Sequence, residues 1–162
     1  MMVPETKPVD HAALRVNQGM IILLSLLAFL FNLTWLVLLV AGFMLAGTLV
    51  GRPGFILIYR SVLKPLGLVK PDVIPDNPEP HRFAQGLGGA FLAVGSLLLF
   101  FGWSTSGWIL TWLVIALAAL NLFAGFCVGC AVYYWLNRIG LSWFSKSPPP
   151  GTFPGTRPKL GA

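Results

Sequence analysis

Charge is what this chain has least of. From Phe83 to Asn137 there is no Asp, Glu, Lys, Arg or His, and Val16 to Gly51 is equally free of them. Together these stretches make up more than half of the 162 residues. A soluble domain must place charge on its surface, so a chain that withholds charge over such lengths is built to meet lipid. Only 10% of the residues are charged, 56% are hydrophobic, and the mean hydropathy is +0.79. Such values fit a small polytopic membrane protein of one domain and leave no room for a soluble module of catalytic size. Acids and histidines are scarce as well: five Asp and Glu in all, and two His. None lies inside the charge-free stretches, which excludes a buried proton relay, haem or chlorophyll ligation from within a span, and ordinary hydrolase chemistry.

The cations that are present give a net charge of +6. They flank the apolar stretches, where anionic lipid head groups would meet them. No aromatic–basic interleaving of a nucleic-acid module occurs, so the lipid bilayer is the expected partner and nucleic acid is not. Lys7 and Arg15 precede an apolar run in the manner of a signal peptide. Glu5 and Asp10 share that leader, however, and no small-residue cleavage site follows, so the segment is expected to be retained.

A span needs about 20 apolar residues. Residues 83–137 hold two, broken at the turn-rich Gly102–Gly107 between Trp103 and Trp108. Residues 16–51 are long for one helix and tight for two; Asn32-Leu33-Thr34-Trp35 is the natural break, and one long tilted helix is the competing reading. The expected fold is all-α: four transmembrane helices at about 15–31, 34–50, 83–101 and 108–136, arranged as two helical hairpins. An internal echo suggests duplication, since Arg15-Val-Asn-Gln18-Gly19 opens the first apolar region and Arg82-Phe-Ala-Gln85-Gly86 the second. Lys and Arg precede the first span, separate the second from the third and follow the fourth, while both hairpin turns carry none. The positive-inside rule then puts both termini in the cytoplasm.

Between the hairpins, residues 55–64 read as a short interfacial helix with Arg60 and Lys64 one turn apart. Five prolines from Pro65 to Pro80 predict a stiff, extended connector. Its Asp72, Asp76 and Glu79 are placed to meet a basic partner, or Arg82 and Arg52. Residues 145–162, rich in Pro and Gly, are expected to be a disordered tail. Small residues recur at helix-packing spacing in Gly42/Ala46, Gly47/Gly51 and Gly125/Gly129.

Two cysteines stand three apart, Cys127-Val-Gly-Cys130. On a continuous last span they share one stripe with Phe123, Tyr134 and Asn137, near its cytoplasmic end. Three readings fit: a dithiol–disulfide pair, a thiol that carries sulfur or a mixed disulfide, or two small apolar residues in a helix interface. The C-terminal end of a helix disfavours thiolate, whereas Arg52, Arg82 and Arg138 at the same membrane face favour it. A thioredoxin-type site would start a helix after a strand, a context the sequence does not offer. A metal site could draw on the pair with His81 or His11. These histidines are far apart, though, and a second closely spaced ligand pair is missing, so no metal or cofactor is expected.

Three segments carry a family resemblance: Val9-Asp10 with Arg15, Asp76-Asn-Pro78-Glu-Pro80-His-Arg82-Phe83-Ala84-Gln85, and Asn121-Leu-Phe-Ala-Gly125-Phe-Cys127-Val-Gly129-Cys130. Over residues 9 to 138 the chain resembles a group of small bacterial membrane proteins classed as a domain of unknown function. The resemblance implies four spans and a bacterial inner membrane, but no reaction. It marks Arg82, Gln85, Cys127 and Cys130 as the residues to carry function. The expected activity is exchange of disulfide or sulfur between the Cys127/Cys130 pair and a cytoplasmic thiol or sulfur-transfer protein. Arg82 would stabilise the thiolate, Gln85 would brace the third span, and Gly125 and Gly129 would serve helix packing. The alternative is a non-catalytic structural or assembly subunit of a larger membrane complex.

Overall fold

A computed structural model describes residues 6–158. Glu5 and the last four residues of the tail expected over 145–162 lie outside the described residues. The fold is α-helical apart from one two-stranded sheet. Strand β1 (Lys7–Asp10) leads into α1 (His11–Leu30), and α2 (Thr34–Val50) follows. A short turn of helix, α3 (Ile56–Ile58), runs into a π-helical turn at Tyr59–Leu63. Then come β2 (Val73–Asp76), α4 (Pro78–Phe100), α5 (Ser104–Ala124) and α6 (Val128–Arg138).

Residues 16–51 form two helices. The break falls at Asn32, which takes a left-handed φ of 52°, a conformation asparagine tolerates better than most side chains. Gly102, at φ 84°, does the same between α4 and α5. The two turns share their hydrogen bonds: Phe31 N–H donates to Leu27 O and Leu33 N–H to Ala28 O, as Phe101 N–H does to Leu97 O and Trp103 N–H to Leu98 O. Aromatic rings pack beside both turns, Trp35 on Phe100 and Trp108 on Phe29.

The helices α1, α4 and α5 are long and apolar enough to cross a membrane, and α2 is a shorter apolar helix. Their outward faces are as apolar as their core, which is built on Ile21, Val37, Val40, Met44, Leu92 and Val114. Ser25, Ser96 and Thr111 are fully buried, while Leu30, Leu49, Phe101 and Phe123 point outward. The buried hydroxyls are satisfied within their own helices where Ser96 Oγ donates to Ala93 O and Thr111 Oγ1 to Gly107 O. A broad apolar exterior, with the buried hydroxyls of Ser96 and Thr111 bonded inside their own helices, is the arrangement lipid selects. The chain is by this criterion a membrane protein.

Glycines set the closest helix approaches. A Cβ on Gly107 would lie 2.8 Å from Gly95 O, so α4 and α5 meet backbone to backbone there. The Gly47/Gly51 pair divides its work. Gly47 has no room for a Cβ, with Gln85, Arg52 and Gly54 all within 2.7 Å of that position, whereas Gly51 ends α2 in a left-handed conformation.

Two expectations, the last span and the tail, need correction. A continuous helix over 108–136 does not form: α5 ends at Ala124, Gly125 takes φ 65°, and α6 begins afresh at Val128. The proline-rich connector is extended at Val73–Asp76, where β2 pairs antiparallel with β1, Lys7 opposite Asp76 and Asp10 opposite Val73. The tail, as far as it is described, lies against the helices. Phe126 bridges Thr156, Asn77 Nδ2 donates to Ser147 O, and Arg157 forms an ion pair with Asp72. Local polar contacts hold it where apolar content alone would not. The helix expected at 55–64 is present in shortened form, with Phe55 and Tyr59 buried and Leu57, Arg60 and Val62 exposed.

Candidate functional site

One end of the bundle gathers the sheet, the starts of α1 and α4, the end of α5, all of α6 and the tail. The cysteine pair lies there. Gly125 stops α5 because its left-handed conformation cannot continue the helix. Two residues later Cys127, in extended conformation, caps α6: its Sγ accepts the N–H of Cys130 at 3.2 Å. The pair therefore opens a helix rather than closing one. This reverses the electrostatic expectation, because the N-terminal end of a helix favours negative charge. The sulfurs of Cys127 and Cys130 are joined as a disulfide, with Cα atoms 5.2 Å apart. Both residues are buried. The tail covers them, with Cys127 N–H donating to Gly155 O at 2.7 Å.

The cations named for the pair lie elsewhere. Arg82 turns its guanidinium to Thr48 O and Leu49 O, carbonyls of the last turn of α2. The residue before it is the one at the sulfur: His81 Nδ1 is 3.5 Å from Cys130 Sγ. On its other side His81 Nε2 lies 2.9 Å from Asp76 Oδ2, and His11 Nε2 lies 3.1 Å from the same oxygen. Asp76 Oδ1 accepts the N–H of Asn77 at 2.7 Å. Burial alone would raise the Asp76 carboxyl, but the two imidazoles and the Asn77 N–H outweigh it and hold it well below the usual range. Asp76 and His11 are almost fully buried. The connector acids thus meet partners other than Arg82 and Arg52: Asp76 takes the histidines and Asp72 takes Arg157.

Gln85 is a brace. Its Oε1 accepts from Asn17 Nδ2 at 3.3 Å and from Gly54 N–H at 3.2 Å, while its Nε2 donates to Met44 O at 2.9 Å and Arg52 O at 3.1 Å. One side chain of α4 ties together α1, α2 and the following turn. Asn17 Oδ1 extends the network by accepting from Phe55 N–H. Gly129 lies close against α4, for a Cβ there would lie 2.5 Å from Ala84 Cβ. Gly125 does not pack; nothing lies within 4 Å of its Cβ position, and its role is the turn. The stripe read along 123–137 is cut by that turn. Cys130 and Tyr134 stay buried on α6, while Phe123 is 82% exposed at the end of α5.

A cavity of about 280 Å³ opens beside the disulfide, lined by Cys127, Cys130, His81, His11, Asp76 and Arg15 among others. Asp76 and the two histidines escaped the sequence reading as a unit. The signal available was weak: Asp10-His11 and Asp76 to His81 flank two short extended segments, and only their pairing brings the residues together.

The fold and site define an α-helical membrane protein with a helix-capping Cys-x-x-Cys pair at one end of its bundle. The chain belongs to the family described as Domain of unknown function (DUF4395), whose model matches residues 9–138. No curated protein and no solved structure matches it.

Proposed function

We propose that this protein is a membrane-embedded thiol–disulfide exchange protein acting through Cys127 and Cys130. The observation that carries this reading is that Cys127 caps α6 with its own sulfur. A thiolate at that position receives the Cys130 N–H and the positive end of the helix, both of which favour it as nucleophile and as leaving group. In one direction, a partner thiolate attacks Cys127 Sγ. The Cys127–Cys130 bond breaks, and Cys130 leaves as thiolate beside His81. A second partner thiol then attacks the mixed disulfide and releases Cys127. The partner loses two electrons and two protons, and the pair gains them. The reverse sequence oxidises the pair at the expense of an oxidised partner.

The partner is a cytoplasmic thiol or sulfur-transfer protein, and the membrane is the inner membrane of a bacterium. In this arrangement α1, α2, α4 and α5 cross as two hairpins, and the identical turns at Asn32 and Gly102 support their origin by duplication. The cysteine end, which carries most of the cations, faces the cytoplasm. Arg82 and Gln85 act as braces that hold α4, and with it His81, in place. Burial of both sulfurs beneath the tail favours a second reading, a structural staple in a subunit of a larger membrane complex.

Inside-out vesicles labelled with an impermeant maleimide separate the two. Exchange predicts labelling only after reduction, and a Cys130→Ser variant that traps a mixed disulfide through Cys127. A pair that stays unlabelled after reduction, with no adduct trapped by Cys130→Ser, would leave the staple.

A further inference from the structure

We propose that His11, His81 and Asp76 form a binding site for one divalent transition-metal ion of the zinc class, beside the cysteine pair. The chain has two histidines, one opening α1 and the other in the second turn of α4. Both direct Nε2 at one carboxylate oxygen, Asp76 Oδ2, at 3.1 and 2.9 Å. All three donor atoms lie within 4.8 Å of one another. Zinc bonds to imidazole nitrogen and carboxylate oxygen are about 2.0–2.2 Å long, so tetrahedral ligands stand roughly 3.3 Å apart. The two separations from Asp76 Oδ2 come within a few tenths of an ångström of that spacing, and a small outward shift of the rings admits the ion.

A second observation points to a ligand. His11 Nε2 is buried and, despite its distance to Asp76, makes no hydrogen bond of acceptable geometry. A buried polar nitrogen without a partner costs free energy. An ion between the three donors would satisfy it. The set supplies two nitrogens and one oxygen, which selects zinc-like ions over calcium or magnesium. Three protein ligands leave a fourth position, and the adjoining cavity is lined by all three. The donors are fixed by the sheet, since β1 ends one residue before His11 and β2 ends on Asp76. The Asn77 N–H on Asp76 Oδ1 orients the carboxylate from behind.

The site reaches the sulfur chemistry through His81. With Nε2 on the ion, the proton of a neutral imidazole resides on Nδ1, which faces Cys130 Sγ at 3.5 Å. The ion would thereby present a donor to that sulfur. Ligation itself needs no thiol, so it is independent of the exchange reading.

The test uses the full chain, purified in detergent with its disulfide intact and stripped by a chelator. Zinc is titrated by calorimetry and cobalt by visible absorption. One ion per chain is expected, with cobalt ligand-field bands and no thiolate charge-transfer band. Binding weakens more than about tenfold in His11→Ala and Asp76→Asn, and persists in a Cys127→Ser/Cys130→Ser double variant. Thermal unfolding of each variant without metal reports whether it has folded. The wild-type cobalt spectrum stands apart from any variant. The proposal is overturned if the oxidised wild type binds no zinc, if folded His11→Ala binds as tightly as wild type, or if ion binding disappears in the cysteine double variant.

Discussion

Cys127 and Gly155 are locked together: the Cys127 N–H donates to Gly155 O at 2.7 Å, and a Cβ on Gly155 would lie 2.8 Å from Cys127 O. Gly155 also sits at φ 87°, where L side chains are strained. Gly155→Ala is therefore expected to lift the tail from the cysteine pair. Loss of that one backbone hydrogen bond, worth about 1 kcal/mol, corresponds to roughly a fivefold faster alkylation of the reduced pair. Timed maleimide labelling followed by mass spectrometry measures it. An unchanged rate would show that the tail does not limit access.

The cap made by the Cys127 sulfur can be weighed apart from the disulfide. Cys127→Ser and Cys127→Ala both abolish the bond between the sulfurs, but serine still offers an acceptor to the Cys130 N–H. The serine variant should be more stable by about 1 kcal/mol, the ordinary difference between a capping side chain and alanine. Denaturant titration in detergent compares them, and equal stability would remove the cap from the account.

Gly125 and Gly129 should fail for different reasons. Gly129→Ala drives a methyl group into Ala84 and should cost about 1–3 kcal/mol. Gly125→Ala meets no neighbour but must hold φ 65°, at a cost of about 1–2 kcal/mol. An added Ala84→Gly should relieve only part of the first cost, since the Cα of residue 84 stays 2.8 Å from the new methyl group, and should leave the second as it was. If both respond alike, the division of roles is wrong.

Tyr59 Oη donates to Asp10 Oδ2 at 2.7 Å, and the phenol lies almost fully buried behind α1. Burial, then the hydrogen bond and the charge of Asp10, push its pKa up to about 12 from 10.0. A group whose folded pKa is raised stabilises the fold fully below its unfolded pKa. That stability is lost as pH rises from about 10 through about 12. Tyr59→Phe should cost about 1–2 kcal/mol at neutral pH and flatten this alkaline loss. Unfolding midpoints across that range, with phenolate absorbance as the second signal, provide the measurement. A phenol that ionises at its ordinary value would contradict the buried hydrogen bond.

Much of the fold was legible in the residues. The charge-free stretches announced apolar helices, and Asn32 and Gly102 announced the turns, because a left-handed residue between two apolar runs has few other uses. Gln85 stood out in its motif, but the groups on α1 and α2 that it bonds could not be named from the sequence. The break at Gly125 was missed because hydropathy continues through it: Phe126, Cys127 and Val128 are as apolar as a span. The motif and the membrane face both point to Arg82 for the thiolate, whereas its neighbour His81 touches the sulfur. One position along a helix rotates a side chain by about 100°, and sequence proximity does not say which side faces the site.

By itself the sequence determined the solvent this protein meets, where the turns after α1 and α4 fall, and that its two cysteines are close. These are local properties, set by side-chain transfer free energy and by backbone conformations a few residues long. Only the tertiary structure decided that Cys127 starts a helix, that the tail returns to cover it, and that His11 and His81 share the carboxylate of Asp76. Those relationships join residues far apart in the chain through the pairing of β1 with β2 and the packing of α6 on α4. No composition or periodicity encodes them, because each depends on which distant surfaces come to rest against one another.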